Sequence, residues 1–134
     1  MPTAYAVRFC LLCLALPLLV YGQISTATLT GIITDPTQAK VPAVHITLVN
    51  TATGVTNETS SNTQGEFTFT LMPPGDYRLS AEAAGFRRYN RTGLVMESGR
   101  TFRVDIAMEL GQISEAIDVT GTAPLLESES ATVG

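Results

Sequence analysis

The chain has 134 residues, of which 15% are charged, and a formal net charge of −4 at pH 7. This length suits one domain of ordinary size. Nucleic acid is excluded as an expected partner, because its phosphates bind basic surfaces and this chain is acidic.

The first 22 residues have the pattern of a secretory signal peptide. Arg8 precedes an apolar run over 9–20, which is shorter than the roughly 20 residues of a membrane-spanning helix. Val20 and Gly22 suit the small-residue rule for cleavage, so we expect an exported chain that begins at Gln23. A short membrane anchor is the alternative interpretation.

Cleavage of the signal peptide would remove both cysteines of the chain. Cys10 and Cys13 both lie in the apolar run, so no disulfide is expected after cleavage. The mature chain keeps seven basic and twelve acidic residues, a net charge of −5. Its stability must therefore come from an apolar core.

Period-two alternation of apolar and polar residues predicts strands, because every second side chain of a half-buried strand faces the core. The pattern is clear in three segments and weaker in four, one of which has an expected break at Gly93. In chain order the seven predicted strands cover 26–34, 43–50, 55–61, 66–71, 76–83, 86–96 and 101–110.

The three clear strands each have one apolar face, which we expect to point inward. The predicted inward residues are Phe67, Phe69 and Leu71; Tyr77, Leu79, Ala81 and Ala83; and Phe102, Val104, Ile106, Met108 and Leu110.

The sharpest turn signal lies between Leu71 and Asp76. Pro74 suits the first central position of a type II turn, and Gly75 suits the positive φ of the second. Similar signals separate the other segments. Seven short strands at this spacing predict an all-β fold, a seven-stranded antiparallel β-sandwich.

The order of motifs in residues 25–110 resembles the carboxypeptidase regulatory-like domain, a family similar in fold to transthyretin (prealbumin) and grouped with carbohydrate-binding-like sandwiches. Gln38 and Ala43 depart from the family pattern, since both stand where glycine is usual. The resemblance is carried by Gly31-Ile32-Ile33-Thr34-Asp35, Val41 to Leu48, Asn50 to Gly54, Asn62 to Phe67, Leu71 to Tyr77 and Ala84-Gly85-Phe86.

The remaining residues sharpen the resemblance. A signal peptide (1–22), this sandwich (23–110) and an extended segment with an acidic linker (111–134) are together similar to the start of bacterial TonB-dependent outer-membrane receptors that carry an added N-terminal domain. In such receptors a plug and a barrel follow, and a barrel of about 22 strands needs more residues than this chain has. The chain is therefore expected to be a piece of a receptor or a free-standing module.

The same resemblance implies a partner-binding segment, a TonB box that a TonB-like energising protein would bind. The alternative, which the sequence leaves open, is that 113–120 forms the last strand of the sandwich. The residues of the segment are Ile117, Asp118, Val119, Thr120, Gly121, Thr122 and Ala123.

No catalytic, cofactor-binding or metal-ligating set is expected in this chain. His45 is the only histidine, and no paired metal-ligand spacing accompanies it. On its strand His45 is expected to face outward with Thr47 and Val49. The serines lack a neighbouring base and orienting group, so they are expected to be structural.

A basic cluster at 87–91 is interpreted as part of an edge strand whose charges discourage pairing with other chains. Two aromatic residues, Phe86 and Tyr89, are the only candidates for a platform on which a sugar ring stacks.

The function expected from the sequence is a non-enzymatic N-terminal extension on the periplasmic side of the bacterial outer membrane, belonging to a TonB-dependent receptor. The alternatives are an exported carbohydrate-binding module and a stand-alone structural or interaction domain.

Overall fold

The structure, a computed structural model, describes residues 22–23, 25–121 and 126–127, and every regular element in them is a β-strand. The predicted all-β class is confirmed. The strands are β1 (Ala27–Thr34), β2 (His45–Asn50), β3 (Thr56–Ser60), β4 (Glu66–Met72), β5 (Gly75–Glu82), β6 (Arg88–Met96), β7 (Thr101–Arg103), β8 (Ile106–Ala107), β9 (Ala116–Thr120) and β10 (Leu126–Glu127).

The strands form two five-stranded sheets. In the first sheet the order is β10-β7-β1-β4, and β8 pairs with β1 beyond the end of β7. In the second sheet the order is β3-β2-β5-β6-β9. The two sheets enclose one apolar cluster, which makes the fold a transthyretin-like β-sandwich.

The sandwich has more strands than the seven predicted, and its pairing is not antiparallel throughout. The predicted strand at 101–110 is two short strands, β7 and β8, and both pair with β1 in parallel. β9 pairs with β6 in parallel as well. The chain reaches each of these strands by crossing from one sheet to the other. A short hairpin within one sheet forces antiparallel pairing, but a crossing between sheets does not, so parallel pairing is possible here.

The side chain of Asp105 lies at the break between β7 and β8. Asp105 accepts a hydrogen bond from the backbone N–H of Ile32 at 3.1 Å, where the next strand would ordinarily supply a carbonyl. Gly31 allows the close approach, since a Cβ there would overlap the Val104 carbonyl oxygen and the Phe67 ring.

The inward faces follow the predicted alternation over most of the three clear strands. Phe67, Phe69 and Tyr77 are at most 4% exposed. Each of these residues belongs to the core cluster, which also includes Leu79, Ala81, Phe102, Val104, Ile106 and Met108.

Two leucines predicted to be inward are exposed instead. Leu71 has a φ of 57° and is 76% exposed, because an extra residue in β4 shifts its register and places Met72 in the core. Leu110 is 66% exposed, since it lies beyond β8 and makes only an isolated bridge with Phe86.

The connection at Gly75 is not the predicted type II turn. Its φ is positive, as expected, but at +152° it differs from the roughly +80° of that turn type. The Tyr77 hydroxyl donates to the Pro73 carbonyl at 2.6 Å and ties the connection to β5. β6 runs through Gly93 without the expected break. A bulge lies there instead, with a φ of +72° at Gly93 and a register shift against β5.

Both departures from the family's glycine pattern occupy left-handed backbone. Gln38 has a φ of 68° and Ala43 a φ of 57°. The turn geometry that glycine would favour is therefore retained, with a non-glycine residue in a conformation disfavoured by its Cβ. The Ala43 N–H donates to the Ser61 carbonyl at 2.9 Å, which holds this turn against the end of β3.

Hydrogen bonding to the sandwich continues past the boundary predicted at residue 110. β9 extends the second sheet through Thr120, and β10 pairs with β7 in the first sheet. Alternation alone does not reveal this, because only Ile117 and Val119 in β9 are half-buried and its other residues are exposed.

Candidate functional site

The predicted partner-binding segment begins inside the second sheet. Residues 117–120 belong to β9, which pairs with β6 in continuous register from Ala116 to Thr120. Gly121 follows directly and packs against β6, since a Cβ there would overlap the Thr92 carbonyl oxygen. Thr122 and Ala123 lie outside the described residues. The placement of 116–120 fits the alternative of a last sandwich strand.

Polar contacts hold β9 to β6 along its exposed face and at its start. The Asn90 amide donates to the Asp118 carboxylate at 3.1 Å. Just before β9, the backbone N–H of Arg88 donates to the Glu115 carbonyl at 2.9 Å. The side-chain Nε of Arg87 lies 2.8 Å from the Glu115 Oε2. These contacts fix the point at which β9 enters the sheet.

β9 is the terminal strand of its sheet, so one of its backbone edges faces no other strand among the described residues. An extended edge of this kind can pair with the backbone of another chain by strand addition. The exposed Asp118 places a negative charge on this strand, which disfavours pairing with a second copy of itself.

The proposed sugar platform is not present. Tyr89 is 7% exposed and belongs to the core, because it lies opposite Ala81 on the inward face of β6. Phe86 is half-buried and packs against the same core. Neither ring is a free surface on which a sugar could stack.

The basic cluster also differs from its interpretation as part of an edge strand. β6 lies between β5 and β9, so it is an interior strand of the second sheet. Arg88 pairs with Glu82 at 2.6 Å, and Arg87 lies 3.5 Å from Glu109 besides its contact with Glu115. Acidic neighbours thus offset the charge of these two arginines.

His45 is exposed, as predicted, and its Nε2 lies 3.8 Å from the Glu58 Oε1. Within residues 22–23, 25–121 and 126–127, no group of three or more His, Cys, Asp or Glu side chains is placed to hold a metal ion. In the same part of the chain, no helix has the length and apolar character needed to cross a membrane.

Asp35 organises the loop that follows β1. The Thr37 hydroxyl, 2.6 Å from the Asp35 Oδ1, holds the pKa of this carboxyl below its ordinary value. The backbone N–H groups of Ala39 and Thr37 donate to the same oxygen at 3.0 and 2.8 Å and act in the same direction. Desolvation opposes them only in part.

A polar depression on the outer face of the first sheet was not found from the sequence. Alternation predicts that Thr68 faces outward, but only the pairing of β1 with β4 and β7 brings the distant segments together. Its lining residues are Thr30, Gly31, Ile32, Glu66, Thr68 and Arg103.

The two packed sheets define the class of this protein as a transthyretin-like β-sandwich. The profile of the carboxypeptidase regulatory-like domain matches residues 28–109. The chain therefore belongs to the carboxypeptidase regulatory-like domain family.

A curated relative is the TonB-dependent transporter Oar of Myxococcus xanthus, which is 28% identical over 121 residues. The match covers 87% of this chain and 11% of the transporter, so the chain spans about a tenth of that relative's length.

Solved structures share the fold at low sequence identity. A Bacteroides uniformis protein crystallised as a carbohydrate-binding candidate has a TM-score of 0.53 and 19% identity, over 63% of this chain and 41% of that one. The minor pilin GBS52 of Streptococcus agalactiae has a TM-score of 0.55 and 14% identity, over 66% and 46%. At these identities the likeness concerns the fold alone.

Proposed function

We propose that this chain is a non-enzymatic, exported N-terminal extension domain of a TonB-dependent outer-membrane transporter, located on the periplasmic side of that membrane. The observation that carries the proposal is the 28% identity to the Myxococcus xanthus transporter over 87% of this chain. The family assignment supports a binding or connecting role, since the matching profile is that of a regulatory-like domain.

The role of the domain is to present 117–123 to an energising partner of the TonB type. Support comes from β9, which among the described residues pairs with β6 alone and so has one sheet edge without a neighbouring strand there. A partner strand can pair with the free edge of β9 while β6 stays on the other side. Backbone hydrogen bonds would then supply the affinity, and the exposed Asp118 and Thr120 the specificity.

A binding titration tests this role. The isolated peptide 115–124 and the mature domain from Gln23 are each titrated against the C-terminal domain of a TonB protein from the same organism. Both are expected to bind. In the peptide, Val119→Pro removes a backbone N–H and fixes φ, so it should abolish binding, whereas Ser128→Ala in the mature domain should have no effect.

The two ligands also separate two binding modes. Equal affinity of peptide and domain supports addition to the free edge of β9. Binding of the peptide alone means that β9 must first leave β6. If neither binds, 116–120 is a structural strand and the proposed partner role is wrong.

A second experiment concerns the transporter itself. Sequencing of the gene beyond the codon for Gly134 is expected to show a plug and a barrel in the same reading frame. A stop codon at that point, with a stable secreted product, would contradict the assignment as a transporter domain.

A further inference from the structure

The depression on the outer face of the first sheet has a volume of about 240 Å³ and is built on three adjacent strands. Thr30 of the central strand β1 lies beside Thr68 of β4 on one side and Arg103 of β7 on the other. Hydrogen bonds between the strands fix the backbone that carries the lining side chains, so no ordering of the backbone is needed on binding.

Arg103 is held in place by a carboxylate that is itself anchored. Its Nε donates to the Asp105 Oδ1 at 3.0 Å and lies 3.2 Å from the Oδ2. The Asp105 Oδ1 also accepts the N–H of Ile32, which ties the pair to β1. The two terminal nitrogens of Arg103 take no part in this contact, and among the described residues they have no other hydrogen-bond partner, so they are donors for a ligand.

Acceptors and hydroxyl groups complete the lining. The Glu66 Oε2 accepts from the Asn62 amide at 3.1 Å, and the Oε1 takes no part in that bond. The Thr30 hydroxyl donates to the Phe67 carbonyl at 3.1 Å and lies 3.3 Å from the Thr68 hydroxyl. The depression therefore contains both donors and acceptors.

The charges of the lining select against ionic ligands. Asp105, outside the lining, offsets the charge of Arg103, and Glu66 in the lining adds a negative charge, so an anion would meet no net positive charge. A cation would meet the guanidinium. A neutral molecule with adjacent hydroxyl groups satisfies every group, because Arg103 can donate to two neighbouring oxygens while Glu66 accepts from a third.

We propose that this depression binds one neutral saccharide unit. Its volume lies below the roughly 300–1,000 Å³ of pockets for drug-sized ligands, which limits the ligand to about one ring. The lining contains no aromatic residue, so no stacking adds to the hydrogen bonds, and a Kd on the order of 1 mM is expected. This inference is independent of the transporter assignment.

An NMR titration tests the proposal. The ¹⁵N-labelled mature chain is titrated with glucose, galactose, mannose and N-acetylglucosamine, each up to about 50 mM, well above the expected Kd. At least one sugar should give saturable shifts at the amides of Thr30, Gly31, Ile32, Thr68 and Arg103. Arg103→Gln should weaken that binding about tenfold, the effect of losing a charge-assisted hydrogen bond.

One control variant and one further lining variant accompany Arg103→Gln. Arg78→Gln, an exposed arginine on the second sheet, removes the same charge and should leave binding unchanged. Thr68→Val tests the lining without changing the net charge and should weaken binding. The amide spectrum of each variant establishes that it is folded.

Three results would overturn the proposal. The first is the absence of saturable shifts at the depression with all four sugars. The second is binding that survives both Arg103→Gln and Thr68→Val. The third is tighter binding of glucuronate or glucosamine than of their neutral counterparts, which would assign the depression to a charged ligand.

Discussion

Asn90 and Asp118 lie opposite each other on β6 and β9, and the amide of the first donates to the carboxylate of the second at 3.1 Å. This bond joins the last strand of the second sheet to its neighbour on the exposed face. It therefore offers a way to alter the stability of β9 without touching the core.

Asp118→Ala should accelerate hydrogen exchange of the β9 amides selectively. An exposed hydrogen bond contributes about 0.5–1.5 kcal/mol, so the rates should rise roughly two- to tenfold while β5 is unaffected. Exchange mass spectrometry of the mature domain measures both strands. Gln112→Ala, in the loop before β9, is the control, and equal acceleration in β5 and β9 would show that the bond does not act locally.

Phe69→Ala should destabilise the domain by about 3–5 kcal/mol, because it removes a ring that is 4% exposed and in edge contact with Phe67. Thr68→Ala, at the adjacent exposed position, should change the free energy of unfolding little. Urea denaturation compares the two variants. Equal midpoints would mean that β4 does not present Phe69 to the core in solution.

Ala43→Gly should stabilise the domain by roughly 0.5–1 kcal/mol. Glycine removes the steric cost of the left-handed conformation, in which Ala43 has a φ of 57°. This gain in free energy exceeds the loss that comes from the greater conformational entropy of glycine in the unfolded chain. Thermal unfolding measures the gain. Ala52→Gly is the matched control, an exposed loop position without a positive φ, and it should be neutral or destabilising. A lower Tm for Ala43→Gly would contradict the strain argument.

The pKa of Asp35 should lie below the ordinary value near 3.9, and Thr37→Val should raise it by removing the hydroxyl donor. Because the folded pKa is the lower one, the carboxylate stabilises the fold above its unfolded pKa. That contribution disappears as the pH falls through the folded value. Carboxyl ¹³C NMR gives the titration, and Thr53→Val in a distant loop should leave it unchanged.

Export should remove the first 22 residues and leave Gln23 at the N-terminus. N-terminal sequencing of protein recovered from the periplasm measures the cleavage point. A membrane-embedded chain that keeps residues 1–22 would instead support the short anchor.

Sequence patterns determined the local features of this domain. Alternation assigned Phe67, Tyr77 and Phe102 to the core, because a strand in a sandwich has only one buried face. An irregularity at Gly93 and a positive φ at Gly75 also followed from the local sequence, because glycine adopts a positive φ at the least cost.

Only the tertiary structure decided which strands become neighbours. The parallel pairing of β1 with β7 and of β6 with β9 depends on crossings between sheets, which leave no period in the sequence. The same crossings bury Tyr89, make β6 an interior strand and place β9 last in the second sheet. They also bring Thr30, Thr68 and Arg103 to one depression, because cross-strand neighbours are set by register and not by distance along the chain.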